Sequence, residues 1–575
     1  MSTQVPRYAH GAPLPTILEE GEIGASATFD SLSQPGLDGY PDACLAISGE
    51  AHPALVGRPE TMITKFPAEL LLKIFLDTLD RHRKGPRSTT KAGAINLLHL
   101  SHTSSRFRKL VINDPSLWAM VPFLNGVHPD FLLAILSRSQ PLTFELAFRE
   151  DETLLGEDRA WDQIVLNFRR VSRLHVEISE AHEGAKTKSL LYLDSPSLTH
   201  CTVYCMGAHA KQLNHSTPHI LPFRNSAPLL RGIDLINCYL PIGRYLPSLS
   251  SFIICNAADS DVAPSIPISD LLQWGQSFAS LTKLTLSNCI QPFVDLEAMY
   301  HLGPIPLPSL DFFFLEASPE CCRQLGRIIR LRSTCSRSIT VITSPDYYSN
   351  LADAATFAES VLSFIPTDLV YMECVLGMGD GYLTVRLVKT EGRRLAMSIR
   401  FNTDNLNVSL SIPSHHLLAL HPITEKDLFL YQICHFLTTS LQPILPSISG
   451  AHLWFDHDSV APHVFRNLLK AMQNVEVVTT RSSRTWANPL LLGLLSQDNV
   501  PGLKKIRVPF DEMLGPTTVQ RLNGFLCSRG EVKEVAFSFQ AEDTSLCPTV
   551  LEMWRKVDEI IKNLPDSVLF YCVSS

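Results

Sequence analysis

The residues able to support catalysis or hold a metal are few in this chain, and their spacing argues against most chemistries. The run GMGDG at 377–381 has the glycine content of a phosphate cradle, in which backbone N–H groups close around an anion. Such a loop follows a strand and opens a helix. Here the strand-like YLTVRLV comes next, so the pattern predicts a turn. His415-His416 and Cys321-Cys322 are adjacent pairs whose side chains diverge, which is poor geometry for one metal ion. Cys201 and Cys205 lie on one side of an alternating segment, as core or ladder positions. H-E-x-x-H, G-x-S-x-G and G-x-x-x-x-G-K-[ST] are absent, and no paired carboxylates stand out. The expectation is no catalytic, cofactor-binding or metal-binding residue, no cofactor and no small-molecule substrate. An enzyme with a site assembled from distant residues is the remaining catalytic alternative.

Charge narrows the partners. Forty-nine Lys and Arg stand against 57 Asp and Glu, a net charge of -8. That gives no electrostatic case for nucleic acid or an anionic membrane. The densest positive patch is the loop holding Arg81, His82, Arg83, Lys84, Arg87 and Lys91. It reads as a solvated insertion, with contact to an acidic protein surface as the sharper alternative. No apolar run reaches the ~18 residues of a membrane span, and the first residues do not resemble a secretory signal. Fourteen cysteines without a C-x-x-C pair suit a reduced, intracellular chain, cytoplasmic or nuclear.

At 575 residues the chain is too long for one ordinary core. Residues 1–60, rich in Pro, Gly, Ser and Ala and carrying Glu19, Glu20 and Glu22, are expected to be a disordered tail. FPAELLLKIFLDTLDR begins with Pro67 and Glu69, which suit a helix start. Leu70, Leu71, Ile74, Phe75 and Leu79 then recur at helical spacing. A second helix is expected over AINLLHLSHT. Ser104 is placed to cap a third, with Phe107, Leu110 and Val111, stopped at Asn113-Asp114-Pro115.

From about 130 a phrase returns: a small or proline turn, a leucine, then a short alternating strand. It occurs at 171–179, 195–204, 227–238, 247–256, 280–289 and 308–318. The lead leucines are read as Leu198, Leu229, Leu249, Leu281 and Leu310. A degenerate middle covers 320–445, with helices at CCRQLGRIIRLR and ATFAESVLSFI and a hairpin turning near Gly392. The phrase resumes at 451–456, 475–480, 501–510 and 532–539, and TVLEMWRKVDEIIKNL reads as a terminal helix. Strand, turn and helix repeated every 20–32 residues predict an α/β, leucine-rich-repeat-like solenoid over 130–570, with parallel strands on one side and helices on the other. An irregular α/β domain is the competing architecture.

The segment 63–118 resembles the F-box. Phe66 stands where that motif begins with Leu; Pro67, Glu69, Leu70, Leu71, Ile74, Phe75, Leu100, Ser101, Arg108, Pro115, Leu117 and Trp118 match it. Thr103-Ser104 replace a Val-Cys pair, Phe107 replaces a Trp, and the basic insertion at 81–93 lengthens a loop. The layout is similar to the large F-box-like families of mushroom-forming fungi. The resemblance implies a three-helix unit over 62–122 that binds the Skp adaptor of an SCF ubiquitin ligase. Its implied contacts are Phe66, Pro67, Leu70, Ile74, Phe75, Leu100, Phe107, Leu117 and Trp118. The repeat array would then bind a target protein for ubiquitin-dependent degradation. A repeat scaffold unconnected to ubiquitination is the alternative. A unit this small has little interior, so its apolar surplus should leave a partner-ready face, with Pro67 and Trp118 as anchors.

Overall fold

The computed structural model describes most of residues 66–574. The stretches 1–65, 84–90, 121–127, 151–157, 258–265, 293–303, 343–357, 403–424 and 540–568, and several shorter ones, lie outside the description. The expectations for the 1–60 tail, the turn at Gly392 and the terminal helix over 549–564 fall there. Among the described residues no helix is long and apolar enough to cross a membrane.

The chain is mixed α/β, built on a large, mostly parallel sheet of sixteen strands. These are β1 (Phe144–Glu150), β2 (Val171–Ile178), β3 (His200–Cys205), β4 (Gly232–Ile236), β5 (Ser251–Cys255), β6 (Lys283–Ser287), β7 (Phe312–Ala317) and β8 (Ser336–Val341). They continue as β9 (Tyr371–Gly379), β10 (Tyr382–Lys389), β11 (Leu395–Asn402), β12 (Gly450–Phe455), β13 (Val477–Thr480), β14 (Lys505–Pro509), β15 (Glu534–Phe539) and β16 (Leu569–Ser574). The first eight lie side by side in chain order, all parallel.

A repeated turn creates this order. The N–H of Leu198 bonds Ser195 O at 3.1 Å, Leu230 bonds Ala227 O at 3.2 Å, Leu249 bonds Leu246 O at 3.1 Å and Leu281 bonds Phe278 O at 3.1 Å. Each leucine is fully buried. The next residue then donates to its counterpart one unit back: Arg231 to Thr199, Ser250 to Arg231, Thr282 to Ser250, Asp311 to Thr282, all at 2.7–2.8 Å. Turn, apolar anchor and ladder bond are thus fixed together, which sets the register. The same turn recurs at Ile448, Val475, Leu503 and Val532.

One assignment needs correction. The anchor of the 227–238 unit is Leu230, not Leu229, which is half exposed. The pattern Ala-Pro-Leu-Leu offers two adjacent leucines, and only the turn decides which points inward. At two strand ends asparagine adopts the left-handed region, Asn237 at φ 51° and Asn288 at φ 50°. A short amide side chain tolerates this conformation. Asn237 Nδ2 donates to Cys205 O at 3.2 Å, and its Oδ1 accepts from Ala257 N at 2.7 Å.

Among the described residues, a helix does not accompany every unit. Between β3 and β5 the described connections hold turns and a 3-10 segment at Pro222–Asn225. The anchors Leu230 and Leu249 are too close in sequence to fit one. Three helices do occur in the first half, at Asp158–Asn167, Ala185–Leu191 and Ile268–Gly275, followed by Pro319–Ile328. The latter ends early: Ile329–Leu331, expected as helix, forms a short parallel ladder with Ile305–Leu307.

The middle differs most from a simple array. β9, β10 and β11 form an antiparallel meander placed in reverse, so β11 pairs with β8 and β9 pairs with β12. β10 alone runs against the others. The two strands of the hairpin expected over 382–401 are present and paired, and Gly377 and Gly379 lie at the end of β9, with Gly379 opposite Tyr382. After the meander, helices at Glu425–Leu441, Arg466–Ala471, Pro489–Leu494 and Pro516–Ser528 alternate with strands. The last strand, β16, pairs parallel with β15. It was not anticipated.

Among the described residues five helices precede the sheet: α1 (Ala68–Arg83), α2 (Lys91–Thr103), α3 (Ser105–Asn113), α4 (Pro115–Ala119) and α5 (Pro129–Arg138). Ser104 caps α3, its Oγ accepting from Phe107 N at 3.1 Å. Asp114 ends α3 and caps α4 with a bond from Ser116 N at 2.9 Å. α1 runs through Arg83 and α2 starts at Lys91, so the basic segment is part helix; Arg and Lys favour helical backbone. α5 belongs to two cores. Its Ile135 packs in the helical cluster, while Leu132 and Leu136 pack in the sheet's cluster. Arg170 fastens the junction, donating to Leu136 O at 3.1 Å, Leu142 O at 2.8 Å and Ser139 Oγ at 3.0 Å.

Candidate functional site

The helical cluster has a small, filled interior. Leu71, Phe75, Leu97, Phe107, Val111, Leu117 and Trp118 are buried in it. The Phe75 and Phe107 rings meet edge-on, 5.1 Å between centroids. Trp118 Nε1 donates to Val111 O at 2.6 Å, and the ring meets Phe131 edge-on at 6.0 Å. The Arg138 guanidinium covers its other face at 4.5 Å.

The nine residues singled out by the motif therefore divide. Phe75, Phe107, Leu117 and Trp118 are interior, and Leu100 is half-buried against them. Phe66, Pro67, Leu70 and Ile74 are exposed, the three large side chains at 43%, 48% and 43%. Trp118 is committed to its own unit and does not stand ready as a surface anchor. The Trp118→Ala change should cost about 3–5 kcal/mol of stability, through the lost packing and the bared Val111 carbonyl. Urea unfolding of wild type and variant checks this.

Sequence reasoning did not single out Ile95, Leu98 and Ile112, which are also exposed. Together with Phe66, Leu70 and Ile74 they put six large apolar side chains on the outside of one small unit. Arg106 ties the start of α1 to α3, donating to Phe66 O at 2.6 Å. A groove of about 480 Å³ lies where α2, α3, α4 and α5 meet, lined by Leu98, Ile112, Trp118 and the cations Arg108 and Arg138 among others.

The second surface is the side of the sheet turned away from the core. Its residues are the alternate strand positions: Glu145, Arg149, Arg173, His175, Glu177, Thr202, Asp234 and onward. Register sets their partners. Arg149 bonds Glu177 at 2.8 and 3.0 Å, Arg173 lies 3.5 Å from Glu145, His452 lies 3.1 Å from Glu373 and Lys505 lies 3.2 Å from Glu534.

The His175 imidazole, 3.6 Å away, and then Arg149 hold the Glu177 carboxyl down at about 2. Its folded pKa lies below the ~4.3 of an unfolded Glu, so its contribution is present above that value and is lost as pH falls towards 2. The pair faces solvent, so the effect should be small, ~0.5 kcal/mol. Glu177→Gln is expected to lose that amount at pH 6 and to match wild type at pH 2, as read by denaturant titration across pH.

Burial dominates elsewhere. It pushes the Cys321 and Cys335 thiols up to about 11 and Cys255 and Cys374 to about 12, so these cysteines are thiols at neutral pH. Among the described residues no group of His, Cys, Asp and Glu is placed to hold a metal ion. Compared with known proteins, the chain matches no family model and no curated protein.

Proposed function

We propose that this chain is a substrate-recognition subunit of an SCF-type ubiquitin ligase. Its F-box-like helices bind the Skp adaptor, and a leucine-rich-repeat-like solenoid receives the protein to be ubiquitinated. One observation carries the reading: the helical unit has a filled interior and still exposes Phe66, Leu70, Ile74, Ile95, Leu98 and Ile112. Large apolar side chains left exposed outside a filled interior suit a partner site. α1, which bears the exposed Leu70 and Ile74, supplies the first contacts.

The subunit performs no covalent step in this reading. It raises the effective concentration of a target beside a ubiquitin carrier. The sharing of α5 between two cores, with the Arg170 bonds, suits that role because the two binding surfaces are joined without a free linker. The test is co-expression of the full chain with a tagged Skp adaptor. Recovery of a stoichiometric complex that is lost on deleting 63–118 supports the reading. Failure to recover the adaptor overturns it and favours a repeat scaffold outside the ubiquitin system.

A further inference from the structure

The groove where α2, α3, α4 and α5 meet is a space of about 480 Å³ with a fixed floor. Trp118 forms part of that floor, held by its bond to Val111 O and by the edge-on Phe131 ring. Leu98 from α2 and Ile112 from α3 line it as well, each 39% exposed. A floor already held in place needs little ordering when something enters, which favours binding.

The charge in this groove is unmatched. Arg138 lies over the Trp118 ring at 4.5 Å and makes no hydrogen bond or ion pair among the described residues. Stacking uses the face of a guanidinium and leaves its in-plane N–H donors for a carboxylate. Arg108 donates from Nε to Ser101 O at 3.1 Å, and no carboxylate among the described residues meets its remaining donors. His102 and His128 add two imidazoles. The one acid among the described lining residues, Asp130, is 82% exposed and lies 3.6 Å from His128. The chain carries a net charge of -8, so a positive groove is a local reversal and not the general character of the surface.

We propose that this groove seats a short acidic segment of a protein partner. An Asp or Glu carboxylate accepts from Arg138 and Arg108, and a neighbouring apolar side chain covers Leu98 and Ile112. Charge complementarity selects the acid, and carboxylate geometry suits the guanidinium fork. A bare inorganic anion would leave the apolar walls wet, which is why the occupant is a peptide. The inference goes beyond the proposed function: it gives Leu98 and Ile112 an acidic occupant whichever protein covers Leu70 and Ile74.

The test is parallel selection of a random decapeptide display library on the full chain and on its Ala134→Leu variant. Ala134 lines the groove, so leucine there fills the space and leaves every charge in place. Peptides kept by wild type and lost on Ala134→Leu are expected to share an Asp or Glu beside an apolar residue. Changing that acid to its amide should weaken binding about tenfold. Arg138→Glu should lose the same peptides and recover those with lysine in place of the acid, a rescue that a merely structural role would not give. Circular dichroism checks each variant, and Arg108→Gln reads the loss of charge if Arg138→Glu unfolds. No peptide sensitive to Ala134→Leu, sensitive peptides without a shared acid, or full affinity in the folded charge variant overturns the proposal. Adaptor capture is measured separately on the same preparations. Its failure with peptide binding retained sinks the ligase reading alone, and the converse sinks this inference alone.

Discussion

Changing Leu70 and Ile74 to glutamate should abolish recovery of the Skp adaptor and leave the fold intact. Both side chains lie on the outer side of α1, 48% and 43% exposed, one helical turn apart. Each is already about half buried, so covering the rest by a partner is worth about 1 kcal/mol. Placing a carboxylate there removes that gain and adds the desolvation of an unmatched charge. The sum, about 4 kcal/mol or more, is on the order of a thousandfold in affinity. In the free chain the same changes sit in solvent on a helix that tolerates glutamate, so stability should move by about 0.5 kcal/mol or less. The control is the adjacent residue: Leu71 is fully buried, and Leu71→Glu should unfold the helical unit. Size-exclusion recovery of the complex, with circular dichroism of each variant, reads both effects. Adaptor retained in the double variant would show that this side of α1 is not the contact.

The second large effect is expected at Arg337. It lies on the core side of β8, 4% exposed, among Ile339 and Val341. Its guanidinium donates to Phe364 O, to Arg332 O at 2.7 Å and to Leu331 O at 3.3 Å. It therefore gathers three carbonyls from two segments, 331–332 and Phe364, just where the first eight strands meet the meander. Arg337→Ala leaves those carbonyls without their donor in a closed space and should cost about 3–5 kcal/mol. Arg337→Lys keeps the charge but not the fork, and should recover only part of it. Urea unfolding followed by tryptophan fluorescence measures both. A midpoint unchanged in Arg337→Ala would mean that water or rearranged backbone replaces the guanidinium.

These two sites show what could and could not be read along the chain. Strands such as 171–178, 283–287 and 312–317 were legible because each is a short run rich in apolar and strand-forming residues with a turn before it. Ser104 and Asp114 were legible as helix caps, since local bonding alone decides them. Leu229 was misread because two leucines compete and the winner is set by a turn bond. Arg337 hides in SRSITV, where a charge at an inward position contradicts the alternation and only distant carbonyls explain it. The reversed order of the meander was illegible, because alternation gives no direction to a strand. The exposed side of the helical unit was half legible: the contacts implied by the motif include the exposed Leu70 and leave out the buried Leu71, but they also count the buried Phe75, Phe107, Leu117 and Trp118 and omit the exposed Ile95, Leu98 and Ile112.

The meander also bears on how the chain is made. β8 finishes at Val341, yet its neighbour in the sheet, β11, starts only at Leu395. As the polypeptide leaves the ribosome, the first eight strands can zip together one after another, and then growth halts with a bare rim of backbone donors and acceptors. That rim stays open until three further strands, β9 to β11, have been synthesised and folded back so that β11 can cover it. Any chaperone need, or any tendency of newborn chains to stick to one another, should therefore concentrate in that interval of synthesis.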